Sequence, residues 1–363
     1  MRSLFIVSAD SGYGGAERSI EVIVNRLQHD VHLTLFAQSH LHVAALRRIL
    51  RPPSRLVRFH DTQRLRGFLS AAAKLVGLVA ALRPDAILTN TQRSAQILAA
   101  AARLLPGISK RSFVDVRDFM WNDFGAIFAA LPNAHVIIES PAVLERGDYL
   151  AQHLAPQGRL RWSLVPNMVE LPDTSVPAHC GEYALHLASA NRFKGHEHLI
   201  RAAAILRARG RKVRIISRGS IEDRVFWAKL HRAILDNELG DTVSLWDHVV
   251  DPTQLLRCCR CVVVATVSHS GGPETFGRTV IEAWAHRKPV VAFAAGGVRH
   301  LIEHEKDGLL VPEGDDEGLA EALWRLHADA SLCRRLGENG FAKVRQSYSA
   351  EQVIPQLRAV LNV

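Results

Sequence analysis

Glu274 and Glu282 lie eight residues apart, in the stretch SHSGGPETFGRTVIEAWAHRKPVVAF (268–293). Glu274 sits in a glycine-rich loop at the expected carboxyl end of a strand. Glu282 falls two turns into the helix that the loop opens. Gly271, Gly272 and Gly277 let a ligand come close to the backbone. The free amides at the helix start, around Phe276 and Gly277, attract phosphate, helped by the positive end of the helix dipole. The two carboxylates can accept hydrogen bonds from sugar and ribose hydroxyls, which phosphate-binding groups cannot do. That combination suits a nucleotide-sugar. The bland alternative is a loop carboxylate followed by a solvated helix glutamate.

These groups need elements that hold them. LFIVSA (4–9), HLTLFA (32–37), DAILTN (85–90), SFVDV (112–116) and HVIIES (135–140) read as buried strands with helical patterns between them. PNMVELPDTSVPAHCG (166–181) is rich in proline and reads as a linker. The alternation restarts with YALHLAS (183–189), KVRIISRG (212–219), VSLWDH (243–248), CVVVAT (261–266), PVVAF (289–293) and GLLVP (308–312). Strands alternating with helices argue for parallel sheets covered on both faces. Ligands in such sheets bind outside the carboxyl ends of the strands. The expected fold is α/β, with two Rossmann-like doubly wound domains facing a cleft.

The 363 residues suffice for two domains, and 48% hydrophobic with 22% charged residues excludes disorder, collagen and coiled coil. Five cysteines exclude a disulfide scaffold and point to reduced thiols in a cytosolic setting. The net charge of +9 leaves anionic partners open. FLSAAAKLVGLVAAL (68–82) has 15 residues with Lys74 inside, where a span needs about 20. MRSLFIVSAD is too short for the core of a signal peptide and reads as the first strand.

On its motifs the chain resembles glycosyltransferase family 4, retaining enzymes of the GT-B fold. Glu274, Phe276, Gly277, Glu282, Ala283, Pro289, Val290, Val291, Gly296, Gly297, Gly308, Leu310, Val311 and Pro312 fall in the family's order and spacing. Two glutamates eight apart carry almost nothing alone, whereas the ordered set is specific. The resemblance implies that Glu274 contacts the donor sugar and Glu282 the nucleotide ribose. NRFKGHEHLIRAAAILR (191–207) looks like the family's lysine-glycine segment, which gives Lys194 the donor diphosphate. The Arg that the family usually carries before this Lys, in a Gly-Arg pair, is Ala188 here. Arg192, or Arg218 in SRGS, would then supply the second cation that a departing diphosphate calls for. SGYGGAERSI (11–20) matches the family's Gly-Gly-x-Glu loop at Gly14, Gly15 and Glu17. The resemblance thus names Glu274, Lys194 and Arg192 as catalytic. Gly14, Gly15, Arg218, Gly219, Phe276, Gly277, Thr279 and Glu282 are its donor-binding set.

Other departures touch the acceptor side. LTNTQRS lacks the His that many members carry after the strand at 85–90, and His300 stands where the family often has Glu. VPNMVEL (165–171) resembles the family's Pro-Asn-Gly hinge with Met168 in place of Gly. Arg117 and Asp118, at the end of the strand 112–116, are the acceptor-side candidates. The basic run 46–66 holds seven Arg and one acid, interleaved with Leu46, Ile49, Leu50, Leu56, Val57 and Phe59, and suits an anionic membrane surface or a lipid-linked acceptor. No nucleic-acid reader motif accompanies the charge. HLIEH (300–304) is too confined between turns for a zinc helix, CCRC (258–261) reads as buried thiols, and no Asp-x-Asp occurs, so neither a metal nor another cofactor is expected.

The sequence therefore divides into a domain at 1–168, a hinge at 169–182, a nucleotide-sugar domain at 183–345 and a returning helix at 346–363. It leads to the expectation of a metal-independent, retaining hexosyltransferase. The donor would be a nucleoside-diphosphate sugar, the acceptor a glycan or lipid-linked hydroxyl. Family habit puts such an enzyme in cell-envelope polysaccharide synthesis, in the cytoplasm or on the inner face of the membrane. A nucleotide-sugar epimerase of the same fold and a non-catalytic binding module are the alternatives.

Overall fold

The computed structural model describes the chain except residues 61, 120, 122, 146–151, 153–159, 173–180, 248–250, 270 and 271. Gly271 and much of the proline-rich hinge lie outside the described residues. Two units emerge, Met1–Met168 together with Ala350–Val363, and Val169–Ser349.

In the first unit the described strands are β1 (Arg2–Ser8), β2 (Val31–Ala37), β3 (Arg55–Arg58), β4 (Ala86–Thr89), β5 (Ser112–Val116), β6 (His135–Ile138) and β7 (Arg161–Leu164). They form one sheet in the order β3-β2-β1-β4-β5-β6-β7, with every pairing parallel. In the second unit β8 (Tyr183–Leu187), β9 (Arg214–Arg218), β10 (Val243–Trp246), β11 (Cys261–Val264), β12 (Val290–Phe293) and β13 (Leu309–Val311) form a parallel sheet in the order β10-β9-β8-β11-β12-β13. Both are doubly wound, and the strand order reverses between β1 and β4 and between β8 and β11. Parallel strands covered on both faces must be apolar throughout, and β4, β11 and β12 are buried along their whole length.

Two strands depart from the sequence expectation. RLVR (β3) and RWSL (β7) carry arginines and no buried face, so neither shows an apolar run. They close the two edges of the first sheet, where one side meets solvent and charge is tolerated.

The basic run is not a single surface segment. It covers part of the helix His40–Ile49, β3 and the start of the helix Leu65–Leu82. Its seven arginines are exposed, while Leu46 and Phe59 belong to the core. Leu65–Leu82 is the one helix among the described residues long and apolar enough to cross a membrane, with a mean hydropathy of 1.6. Here it lays Ala71, Ala72, Leu75 and Val79 into the core of the first unit and leaves Leu65 (71%) and Leu69 (55%) exposed.

The final helix, Ala350–Leu361, belongs to the first unit; the return thus starts at Ala350, where the sequence suggests 346. Val353, Ile354 and Leu357 pack in one cluster with Ile20, Ile23 and Met168. Met168, in the glycine position of the hinge resemblance, is thereby a core residue. Asn167 before it accepts a hydrogen bond from Ser19 Oγ at 2.7 Å, which ties the end of the first unit to its first helix, Gly15–Leu27.

Candidate active site

The second unit brings Lys194 and Glu274 together beyond the carboxyl ends of β8 and β11, at the point where the strand order reverses. Ligands of doubly wound sheets bind at such switch points. The Lys194 ammonium is ion-paired to Glu274 Oε1, and both side chains keep access to solvent, at 18% and 26% exposure.

The turn that carries Lys194 is held from several sides. Asn191 caps it through its side chain, which accepts from the Phe193 amide. The Val267 amide donates to the Phe193 carbonyl at 2.8 Å. Gly195 ends the turn at φ +77 and opens the helix His196–Ala208; a Cβ there would stand 1.9 Å from the Ala265 carbonyl oxygen. Only glycine meets both demands.

The Glu274 loop rests on the Gly296–Gly297 turn, whose Gly297 amide donates to the Glu274 carbonyl at 2.8 Å. Phe276 buries its ring in the core, edge-on to Tyr348, so only its backbone is available to a ligand. Gly277, at φ +98, caps the helix Arg278–Ala285 and packs against Val298. The Phe276 and Gly277 amides donate to no carbonyl among the described residues, and they stand at the positive end of that helix. Thr279 lies in its first turn. Glu282 faces Arg278 one turn earlier, with Arg278 Nε 2.8 Å from Glu282 Oε1.

The two candidate second cations differ. Arg192 is half exposed, 3.9 Å from Asp223 and stacked over Phe226. Arg218 ends β9, opposite Leu187 of β8, and its Nε is buried with no partner among the described residues. A buried N–H without an acceptor is costly unless a ligand satisfies it. Gly219, the next residue, packs against the Ala188 carbonyl, the position where the Gly-Arg pair is missing.

The first unit gathers a different set. Gly14 donates its amide to Glu17 Oε2 at 2.8 Å, and Gly15 starts the helix. Glu17 is buried, and burial, then the charge of Asp10, pushes its carboxyl up to about 7. Arg117, expected near an acceptor, is only 8% exposed and lies 2.6 Å from Asp115 Oδ2 and 2.8 Å from Glu139 Oε1. Its charge is committed to two carboxylates. Asp115 is the signal in the sequence: residues two apart share a strand face. Asp118 is half-buried at the end of the same segment. Sequence reasoning also passed over a buried network at the ends of β1 and β4, in which Asn90 Nδ2 donates to Ser8 Oγ and the Ala9 amide to Ser94 Oγ.

The remaining motifs hold no cluster of metal-ligating side chains among the described residues. Cys259 and Cys261 are buried, and burial pushes both thiols up; Cys258 is exposed, unlike its neighbours. His304 Nδ1 accepts the Leu310 amide at 3.0 Å, inside a turn.

Residues 182–329, which contain Lys194, Glu274 and Glu282, match the family model described as glycosyl transferases group 1. The chain is 28% identical over 169 residues to the capsular polysaccharide biosynthesis glycosyltransferase CapM of Staphylococcus aureus, covering 47% of this chain and 43% of that protein. It is 30% identical over 162 residues to the lipopolysaccharide core biosynthesis glycosyltransferase LpsE of Rhizobium meliloti, covering 44% of each. The chain spans less than half the length of the curated relatives it matches. Among solved structures, Anabaena HepE in complex with UDP and glucose superposes with a TM-score of 0.81 at 22% identity, over 100% of both chains. Sucrose-phosphate synthase from Thermosynechococcus elongatus does so at 0.77 and 21%, over 100% of this chain and 98% of that one. The fold is therefore GT-B, two Rossmann-like α/β domains.

Proposed function

We propose that the chain is a glycosyltransferase that moves a hexose from a nucleoside-diphosphate sugar to a hydroxyl of a glycan or lipid-linked acceptor, without a metal and with retention at the anomeric carbon. The observation that carries this reading is the Lys194–Glu274 pair at the β8/β11 switch point, beside the free amides of Phe276 and Gly277. Lys194 and those amides take the diphosphate. Both guanidinium groups lie over an aromatic ring, Arg218 over Trp246 and Arg192 over Phe226; Arg218 is the better second cation, because its buried Nε has no hydrogen-bond partner among the described residues while Arg192 also faces Asp223. Glu282 accepts the ribose hydroxyls and Glu274 a hydroxyl of the sugar.

The bond from the anomeric carbon to the diphosphate oxygen breaks as the bond to the acceptor oxygen forms on the same face. The acceptor proton passes to the departing diphosphate, so no separate general base is required. Lys194 counters the charge that develops on the leaving group, where a fixed donor is most effective. A uridine nucleotide is the first donor to test, since HepE was solved with UDP and glucose. Capsule and lipopolysaccharide synthesis by the relatives favours an envelope glycan as acceptor. The exposed arginines of 46–66 and the bare Leu65 and Leu69 support contact with an anionic membrane surface.

The test is release of nucleoside diphosphate from UDP-sugars in the presence of saccharide acceptors and a chelator. Lys194→Ala and Glu274→Gln are expected to lower turnover by about 10²–10³-fold, the usual loss of one transition-state contact. Turnover unchanged in both variants contradicts the proposal.

A further inference from the structure

We infer that His186 is a positioning residue that fixes the Lys194 turn by bridging it to the neighbouring strand. The inference rests on the donor-site reading above and adds a residue that the reading does not contain.

His186 stands on β8 directly opposite Ser217 of β9. Its ring reaches in two directions. Nδ1 lies 2.9 Å from Ser217 Oγ, and Nε2 lies 3.1 Å from the Lys194 carbonyl oxygen. A carbonyl only accepts, so Nε2 must carry the proton and Nδ1 must accept from the serine hydroxyl. Each ring nitrogen then has one role and one partner, and the ring cannot flip without losing both.

The surroundings keep the ring neutral. His186 is buried, and burial, then the neighbouring His196, holds its pKa well below the usual histidine value. His196 meets it edge-on, with ring centroids 4.6 Å apart, and has no hydrogen-bond partner of its own among the described residues. His196 is also the first residue after Gly195. His186 thus grips the turn twice, by a hydrogen bond to the carbonyl of residue 194 and by a ring contact to residue 196. Asn191, Val267 and Ala265 hold the remaining sides. Lys194 has a long flexible stem, and its aim depends on where its own backbone is fixed. The chain Ser217–His186–Lys194 sets that point relative to the sheet.

Two measurements test this. The first needs no ligand: the ring nitrogens of His186 in ¹⁵N-histidine-labelled protein at pH 7 are expected to show the neutral Nε2–H form. The Nδ1–H form or a charged ring overturns the inference. The second is calorimetric titration with UDP. His186→Asn loses the reach to Lys194 and is expected to weaken UDP about tenfold, the value of one positioning hydrogen bond. His186→Gln keeps an N–H at the Nε2 position and is expected to restore most of that loss. In a Lys194→Ala background, His186→Asn is expected to add nothing, because both changes act through one group. Additive losses overturn the inference. Should His186→Asn fail to fold, Ser217→Ala removes the donor to Nδ1 while the Lys194 carbonyl still requires the Nε2–H form; it is expected to keep that tautomer and to weaken UDP in the wild-type but not the Lys194→Ala background, and UDP affinity unchanged in the wild-type background or weakened equally in both overturns the inference. A wild-type chain that binds no nucleoside diphosphate contradicts the donor-site reading, and the tautomer spectrum then judges His186 on its own.

Discussion

Lys194 and Glu274 stand 80 positions apart in the chain and share an ion pair where β8 and β11 end. On the proposed donor-site reading, Glu274 occupies in the free protein the cation that the diphosphate takes. On that reading donor binding redirects the lysine. Glu274→Gln releases Lys194 and is expected to bind plain UDP at least as tightly as wild type while losing turnover. Lys194→Ala is expected to weaken UDP by about tenfold or more, as for a lost charge-assisted contact. Calorimetry with both variants checks this; weaker UDP binding in Glu274→Gln contradicts it.

Gly277 combines φ +98 with a Cβ position 2.8 Å from Val298 Cγ2. Alanine there meets an unfavourable backbone region and a packed side chain together. Gly277→Ala is expected to cost about 2 kcal/mol of stability. Urea unfolding reads this, and an unchanged midpoint contradicts it.

Buried histidines set an acid limit, His42, His186 and His196 among them. Burial lowers His42 and His196 to about 4 from 6.5. A histidine depressed in the folded state stabilises fully above its unfolded value, and that contribution is lost as pH falls. Stability is thus expected to decline between about pH 6.5 and 4, by on the order of 2–3 kcal/mol for each residue. Urea midpoints at pH 7.5, 5.5 and 4.5 measure the slope. His42→Gln is expected to flatten it.

Glu17 works in the opposite sense. Its folded value of about 7 lies above the ordinary 4.5, so its contribution is present at low pH and is lost as pH rises through 7. Glu17→Gln keeps an acceptor for the Gly14 amide and removes the charge. It is expected to be more stable than wild type at pH 8, by on the order of 2–3 kcal/mol, and nearly equal to it at pH 4.5. A variant no more stable than wild type at pH 8 contradicts this.

Legibility followed burial. CVVV and VVAF are recognisable as strands because both their faces are covered, and the hydrophobic run is the signal. RLVR and RWSL were invisible because edge strands tolerate arginine. The switch-point loop was legible from Glu274, Gly277 and Glu282, whose spacing follows from one loop and one helix. Arg117 was misleading, since a charge at a strand's end reads as exposed until Asp115 and Glu139 are seen to enclose it. His186 gave no signal, because its meaning depends on β9 lying beside β8, and strand order is not a property of local sequence.

The most direct test of the central claim is calorimetric titration with UDP, GDP, ADP and NAD, in the presence of a chelator, on wild type and Glu282→Ala. One nucleoside diphosphate is expected to bind wild type without metal, and Glu282→Ala to bind it about tenfold more weakly, the loss of ribose hydrogen bonds to a carboxylate. Binding of none of the four, or binding indifferent to Glu282, would contradict the claim.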